Sequence, residues 1–498
     1  MRSVVREGAT LRASGRATVA EVLRALGRGG VETLEIGRCK PAWGAAGARA
    51  LAASPALAPL RALRFTENAI ATSGAQALAA SPHLAGLAEL DLSKQAIFDE
   101  GAEALAASPH LARLERLALR ADALRGGAIT TIARLPRLRA LDLSENEMVG
   151  ADLAPLAATS IEELSLAHCA LGARAARAVA KMRALTTLRW TGNAAGAAMG
   201  AIVAGAAWAP SVRALELGYG KLGDRGAIAL ARGAYPRLER LALRSDGVCA
   251  KGAAALGRAA LPALVALDLW NDAIGAGLAG LAKNRTITKL ARVDLWSANV
   301  DGRSLAALLS RCPALEHVEL GSNPLGVTGG RALAAYAGLS RMRTLSLEGA
   351  RIGDAGLAAL AASPGLRGVE RMLLAFNDIG DAGARALAES PHTTALRELV
   401  LDWNQVGPEG AAALAGSKHL RALEQLDLFQ NDVGDDGARA FGRCRGLPAL
   451  RVLQLEANGV KTEGAEALAR GALWRRLEKV VLDRNPIAAA VRRRVTKG

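Results

Sequence analysis

The sequence predicts an α/β fold, a solenoid of about 18 stacked units with a parallel β-sheet on the concave side, α-helices outside, and a horseshoe curve. Three observations predict it. A pattern L-x-x-L-x-L-x-x-N-x-I recurs along nearly all of the 498 residues, a length beyond the roughly 250–300 residues at which single cores stop growing. The pattern starts 18 times between Val31 and Leu477, at spacings of 23–29 residues, and the last six spacings are all 27. Hydrophobic residues make up 51% of the chain but aromatics only 3%, so the core is built in thin layers of Leu, Ala and Val.

Taken in chain order, residues 1–30 read as a cap. Thr18 and Glu21 stand at capping-box spacing ahead of Val19, Val22, Leu23 and Leu26, which predicts a helix over 18–27 shielding the first strand. The repeats occupy 31–487. Each start opens a short strand such as Leu423, Leu426 and Leu428, whose apolar members face inward at period two. A Gly 14 residues after the start (Gly101, Gly356, Gly383, Gly410) leads into an Ala-rich helix with Leu at helical spacing. The Ser-Pro that often follows, as at Ser108-Pro109, ends that helix, because proline cannot continue it.

A lone unit cannot bury its apolar side, so the units stack. Strands stack at roughly 4.8 Å and helices at roughly 8–10 Å, so the sheet side must be the concave one. The ninth column holds Asn in nine repeats, from Asn68 to Asn485. Such short amides satisfy backbone groups where the strand ends. Cys39 and Cys169 share the column and are expected to be structural.

The strand motif with Asn or Cys, the GAxALA helix and the period of about 27 resemble the ribonuclease-inhibitor class of leucine-rich repeats over residues 31–487. The class includes ribonuclease inhibitor, sensor tails of innate-immune receptors and activators of Ran-type GTPases. The resemblance implies a surface for protein partners on the inner face or its rims, and fold alone names no partner. The abundance of Ala, Gly and Arg is that of a GC-rich bacterial gene.

Two stretches depart from the pattern. Repeats starting at Leu138, Ile161 and Leu185 lose the GAxALA signature, and the small apolar run Gly192–Ala209 is expected to pack helices closely. Residues 488–498 form a short basic tail in which Arg492–Arg494 reads as a solvated terminus, and an end so thinly sealed suits a monomer or weak homodimer.

Catalysis finds no support. Five scattered cysteines make no C-x-x-C pair, four of six histidines (His83, His110, His392, His419) repeat one turn position, and neither a Walker loop nor G-x-S-x-G occurs. No cofactor or metal is expected. The first residues lack an apolar signal core and no 18 apolar residues run together, so a cytoplasmic protein without a membrane span is expected. The alternative is a GTPase-activating regulator resembling the Ran GTPase activators. Its only named residue is Arg38, expected in the loop after the first strand.

The inner face carries the functional reading. Positions five, seven and eight of each unit project from the concave sheet. In the first nine repeats they hold six acids and six bases; in the last nine, eight acids against one base, Arg484, although the whole chain carries a formal charge of +16. That reversal argues against nucleic acid in the groove and for a cationic protein partner. Aromatics gather in the same stretch. The candidate contacts are Asp268, Trp270, Asp294, Trp296, Glu319, Phe376, Asp402, Trp403, Asp427 and Phe429, because exposed rings beside acids are the composition of binding hot spots.

Overall fold

The computed structural model describes residues 4–495. They form two compact units, divided between Asp246 and Gly247. In the first, Val4–Glu7 and Thr10–Gly15 make an antiparallel hairpin, and Thr10–Gly15 pairs in parallel with Thr33–Cys39. This hairpin is absent from the sequence expectation, which gave the cap only a helix. That helix is present as Val19–Leu26, with Glu21 N donating to Thr18 Oγ1 (3.3 Å) and Thr18 N donating to Glu21 Oε2 (2.9 Å).

From Thr33–Cys39 to Arg240–Ala242 every strand of the first unit adds in parallel to the one before. In the second unit the strands from Ala266–Asp268 to Lys479–Val481 do the same. The central residue of each strand, such as Leu345, Met372, Leu399 and Leu426, is fully buried. Each such side chain contributes roughly 1.5–3 kcal/mol on burial, and the repeat multiplies that term.

The three-residue strands understate the ladder. Beyond them, Leu374 N donates to Val400 O (2.8 Å) and Phe376 N to Asp402 O (3.1 Å), one repeat onward. The eighth residue then turns left-handed, at φ 54° for Phe376 and 52° for Trp403. The cost of that conformation for a side chain, about 1–2 kcal/mol, is offset by the cross-repeat hydrogen bond its N–H makes. The chain turns there toward the helix layer.

The ninth residue seals the turn. Asn404 Nδ2 donates to Leu374 O (2.9 Å) and Leu401 O (3.0 Å), while its Oδ1 accepts from Asn377 N and Ile379 N, both at 3.0 Å. Cys169 stands in this column, buried, with Sγ donating to Leu143 O (3.2 Å), and Cys39 is buried as well. At Asp122 one carboxylate oxygen accepts from Gln95 N (2.7 Å), whereas the other is buried without a hydrogen-bond partner. Burial pushes this carboxyl up to about 7.

On the helix side each repeat caps its neighbours. The Asp354 carboxylate accepts from Gly380 N (2.7 Å) and Gly383 N (2.9 Å), at the start of helix Asp381–Glu389. Asp381 does the same for Gly407 and Gly410 one repeat later. An anion belongs at a helix N-terminus. This explains the Gly at repeat position fifteen: a β-carbon on Gly410 would lie 2.5 Å from Asp381 Oδ1. Ser390 Oγ donates back to Ala361 O (2.5 Å), closing the preceding helix Gly353–Ala361.

In the irregular stretch the helices shrink to the 3-10 turn Ala154–Ala158, Ala173–Val179 and Ala198–Ala204, and the repeat just before it already has only Ile129–Ile132. Gly200 meets the next helix so closely that a β-carbon would lie 1.9 Å from Gly226 O. Close helix packing is therefore what the small residues serve. At the far end a four-residue helix, Ala489–Arg492, follows the last strand, and Arg492 and Arg494 are exposed. No helix among the described residues is long and apolar enough to cross a membrane.

Candidate functional site

All ten candidate residues fall in the second unit. Asp268, Asp294 and Glu319 occupy one register column on successive strands. Each of three Asp residues also sets the ring two positions on: Asp268 Oδ1 accepts from Trp270 N (3.1 Å), Asp294 Oδ1 from Trp296 N (3.1 Å) and Asp427 Oδ1 from Phe429 N (2.8 Å). The recurring D-L-W or D-L-F spacing thus has a local geometric reason. Carboxylate and aromatic ring are held on the same face by one hydrogen bond.

The rings divide into two groups. Trp296 lies over Gly321, where a β-carbon would come within 2.2 Å of Cζ3, so part of its surface is spent on packing, and Trp270 is half-buried. Phe376, Trp403 and Phe429 form a continuous ladder instead. Phe376 and Trp403 are stacked, with centroids 5.3 Å apart; Trp403 meets Phe429 edge-on at 5.9 Å; and the Arg484 guanidinium stands 6.0 Å from the Phe429 centroid. Phe376 and Trp403 remain 53% and 45% exposed.

The carboxylates around this ladder are electrostatically distinct from those on the first unit's sheet. There, Arg12 Nε and Arg64 Nη1 grip Glu35 at 2.7 and 2.6 Å, and Arg64 Nε continues to Glu89 at 2.7 Å. Arg12 above all holds the Glu35 carboxyl below its ordinary range. Lys94 does so for Glu67, and Arg120 for Glu145. In the second unit, Glu348, Asp402 and Asp427 make no ion pair among the described residues. Their carboxyls are raised: Glu348 by burial and then by the charge of Glu319, Asp402 by burial and then by Glu348. Asp427 goes up to about 6 through burial, with the charges of Asp402 and Glu456 adding to it. One Asp402 oxygen is buried without a hydrogen-bond partner.

The structure also shows what positions five, seven and eight leave out. Position two alternates Glu316, Arg343, Glu370, Arg397, Glu424, Arg451, Glu478, and pairs across repeats as Arg343–Glu370 and Arg397–Glu424, each at 2.5 Å. Position three adds Arg371–Glu398 at 2.5 Å, and His317 Nε2 stands 3.1 Å from Glu319 Oε1. Reading the position-two column down the repeats shows the alternation directly. The arginines are matched to position-two and position-three acids and leave Glu348, Asp402 and Asp427 without an ion pair among the described residues. Arg38 is corrected: it lies within the strand Thr33–Cys39, exposed, and not in a loop after it. No group of three or more His, Cys, Asp or Glu that could hold a metal ion occurs among the described residues.

The Leucine Rich repeat family matches eight segments of the chain, residues 57–79, 209–231, 311–334, 341–361, 374–388, 392–415, 419–442 and 447–469. These segments are leucine-rich repeats, and the parallel strand ladders of the chain are those of a leucine-rich-repeat solenoid. Its fold is similar to that of a leucine-rich-repeat protein of Leptospira interrogans, at 17% identity and TM-score 0.50 over 79% of this chain and 89% of that one. It is also similar to a chain of the yeast Rad7–Elc1 complex, at 16% identity and TM-score 0.45 over 73% and 85% of the two chains. No curated protein matches it in sequence.

Proposed function

We propose that the protein is a non-catalytic scaffold that binds a cationic protein partner on the sheet face of its second unit. The observation that supports this reading is the group Glu348, Asp402 and Asp427, raised first by burial and then by neighbouring carboxylates, beside a ring ladder that is half open to solvent. A Lys or Arg placed against such carboxylates relieves the repulsion, and the rings add contact area at low entropic cost. The same charges repel phosphates, so the partner is a protein and not a nucleic acid. The site needs no second copy of the chain, which suits a monomer or weak homodimer. Four buried free cysteines and one exposed suit the reducing cytoplasm.

The test is affinity capture from native lysate with wild type beside a Phe376→Ala, Trp403→Ala variant, proteins being identified by mass spectrometry. Basic proteins held by wild type and lost by the variant support the reading. An unchanged set of captured proteins contradicts it.

A further inference from the structure

We propose that the cavity beside Phe376 receives an aromatic side chain of the partner, stacked on the face of Phe376 that Trp403 leaves open. This deepens the protein-binding reading and rests on it. The left-handed eighth positions run Ser322, Gly349, Phe376, Trp403 in successive repeats, at φ 56°, 64°, 54° and 52°. Trp403 covers one face of Phe376. On the other side the next position is a glycine, and the row of rings stops. The space left is a cavity of about 460 Å³, bounded by Ser322, Pro324, Gly349, Arg351 and Phe376.

Three features choose the occupant. The platform is flat and fixed, since the Phe376 N–H is held by Asp402 O at 3.1 Å and its ring by Trp403. A ring added in parallel offset continues the stack, for about 0.5–1.5 kcal/mol beyond area burial. Arg351 lines the cavity, exposed, with no hydrogen-bond or ion-pair partner among the described residues. It repels an incoming Lys or Arg, whereas it favours the face of an aromatic ring. Ser322, also exposed, offers a hydroxyl at the polar edge, which suits tyrosine. The basic residues of the partner fall instead on Glu348 and Asp402, the seventh-position neighbours of Gly349 and Trp403. The recognised element is therefore an aromatic residue flanked by basic ones.

The probes are two peptides of equal charge, acetyl-Lys-Arg-Tyr-Lys-amide and its Tyr-to-Leu counterpart, titrated against the full chain by saturation-transfer NMR. Wild type is expected to bind the tyrosine peptide about fivefold more tightly. Ser322→Trp, which fills the cavity from a backbone angle that Trp403 already tolerates, and Phe376→Ala, which removes the platform, should each abolish that preference. Equal binding of the two peptides by wild type, or a preference that survives both variants, overturns the cavity proposal. If the peptides bind equally and a Glu348→Gln, Asp402→Asn, Asp427→Asn variant releases both, the cavity proposal fails while the acidic-face reading stands. Adenosine monophosphate competing for the cavity more strongly than the tyrosine peptide also overturns it.

Discussion

Phe376 lies on Trp403 with the two ring planes 14° from parallel, yet about half of each side chain faces solvent. Large rings with a structural task are buried in this protein, as Trp208 and Phe65 are. The exposed pair sits instead at the rim formed by two left-handed turns. Replacing both by Ala should lower stability by only about 1 kcal/mol, measured by urea unfolding. A loss of about 3–5 kcal/mol, the usual result for a core aromatic, would mean that the ladder is structural.

Asp427 gives binding a pH dependence. Its folded-state carboxyl is raised to about 6 from an ordinary 3.8, so between those values the native state holds more protons than the unfolded chain. Stability contributed by this group is present below about pH 4 and lost as pH rises through 6. Capture of a cationic partner runs the other way, strengthening as Asp427 ionises. Affinity measured from pH 5 to 7.5 should rise, and the Asp427→Asn variant should show a flatter profile. A wild-type profile falling over that range would contradict the assignment.

Asp122 makes a separate case in the first unit. It occupies an Asn column but has no amide hydrogens, and one oxygen is buried without a hydrogen-bond partner. Its carboxyl, at about 7, keeps its proton over much of the neutral range. Asp122→Asn should stabilise the protein at pH 8 by about 1–3 kcal/mol and much less at pH 5, where the acid is already neutral. Equal effects at both pH values, read from thermal unfolding, would refute the account.

The capping chain predicts a loss that crosses repeats. Asp381→Ala removes two hydrogen bonds to the next repeat, those from Gly407 N and Gly410 N. It should cost about 1–2 kcal/mol, and hydrogen exchange should quicken at the start of helix Pro408–Ala415 more than in Asp381's own helix. Faster exchange confined to Asp381–Glu389 would mean that the cap acts within its own repeat.

Much of this was legible in the sequence, because a period of 27 residues turns strand positions into columns. The inward leucines, the Asn seal, the run Asp268–Asp294–Glu319 and the grouping of Phe376, Trp403 and Phe429 all follow from position within the repeat. What escaped lacked that period or crossed it. The hairpin Val4–Glu7 and Thr10–Gly15 precedes the first repeat and has too few residues for alternation to show. The caps made by Asp354 and Asp381 join residues 26 and 29 positions apart, so neither partner marks the other locally. The cavity beside Phe376 is set by the missing side chain of Gly349, and an absent group leaves little trace in a hydrophobic pattern.

The central claim is that uncompensated carboxylates beside the ring ladder hold a cationic protein. Its most direct test is isothermal titration of a captured basic partner, at pH 7.5, against wild type and the Glu348→Gln, Asp402→Asn, Asp427→Asn variant. Binding should weaken by at least about tenfold, roughly 1.4 kcal/mol, while the variant's unfolding midpoint stays level or rises because repulsion has been removed. Undiminished affinity in a folded variant would contradict it.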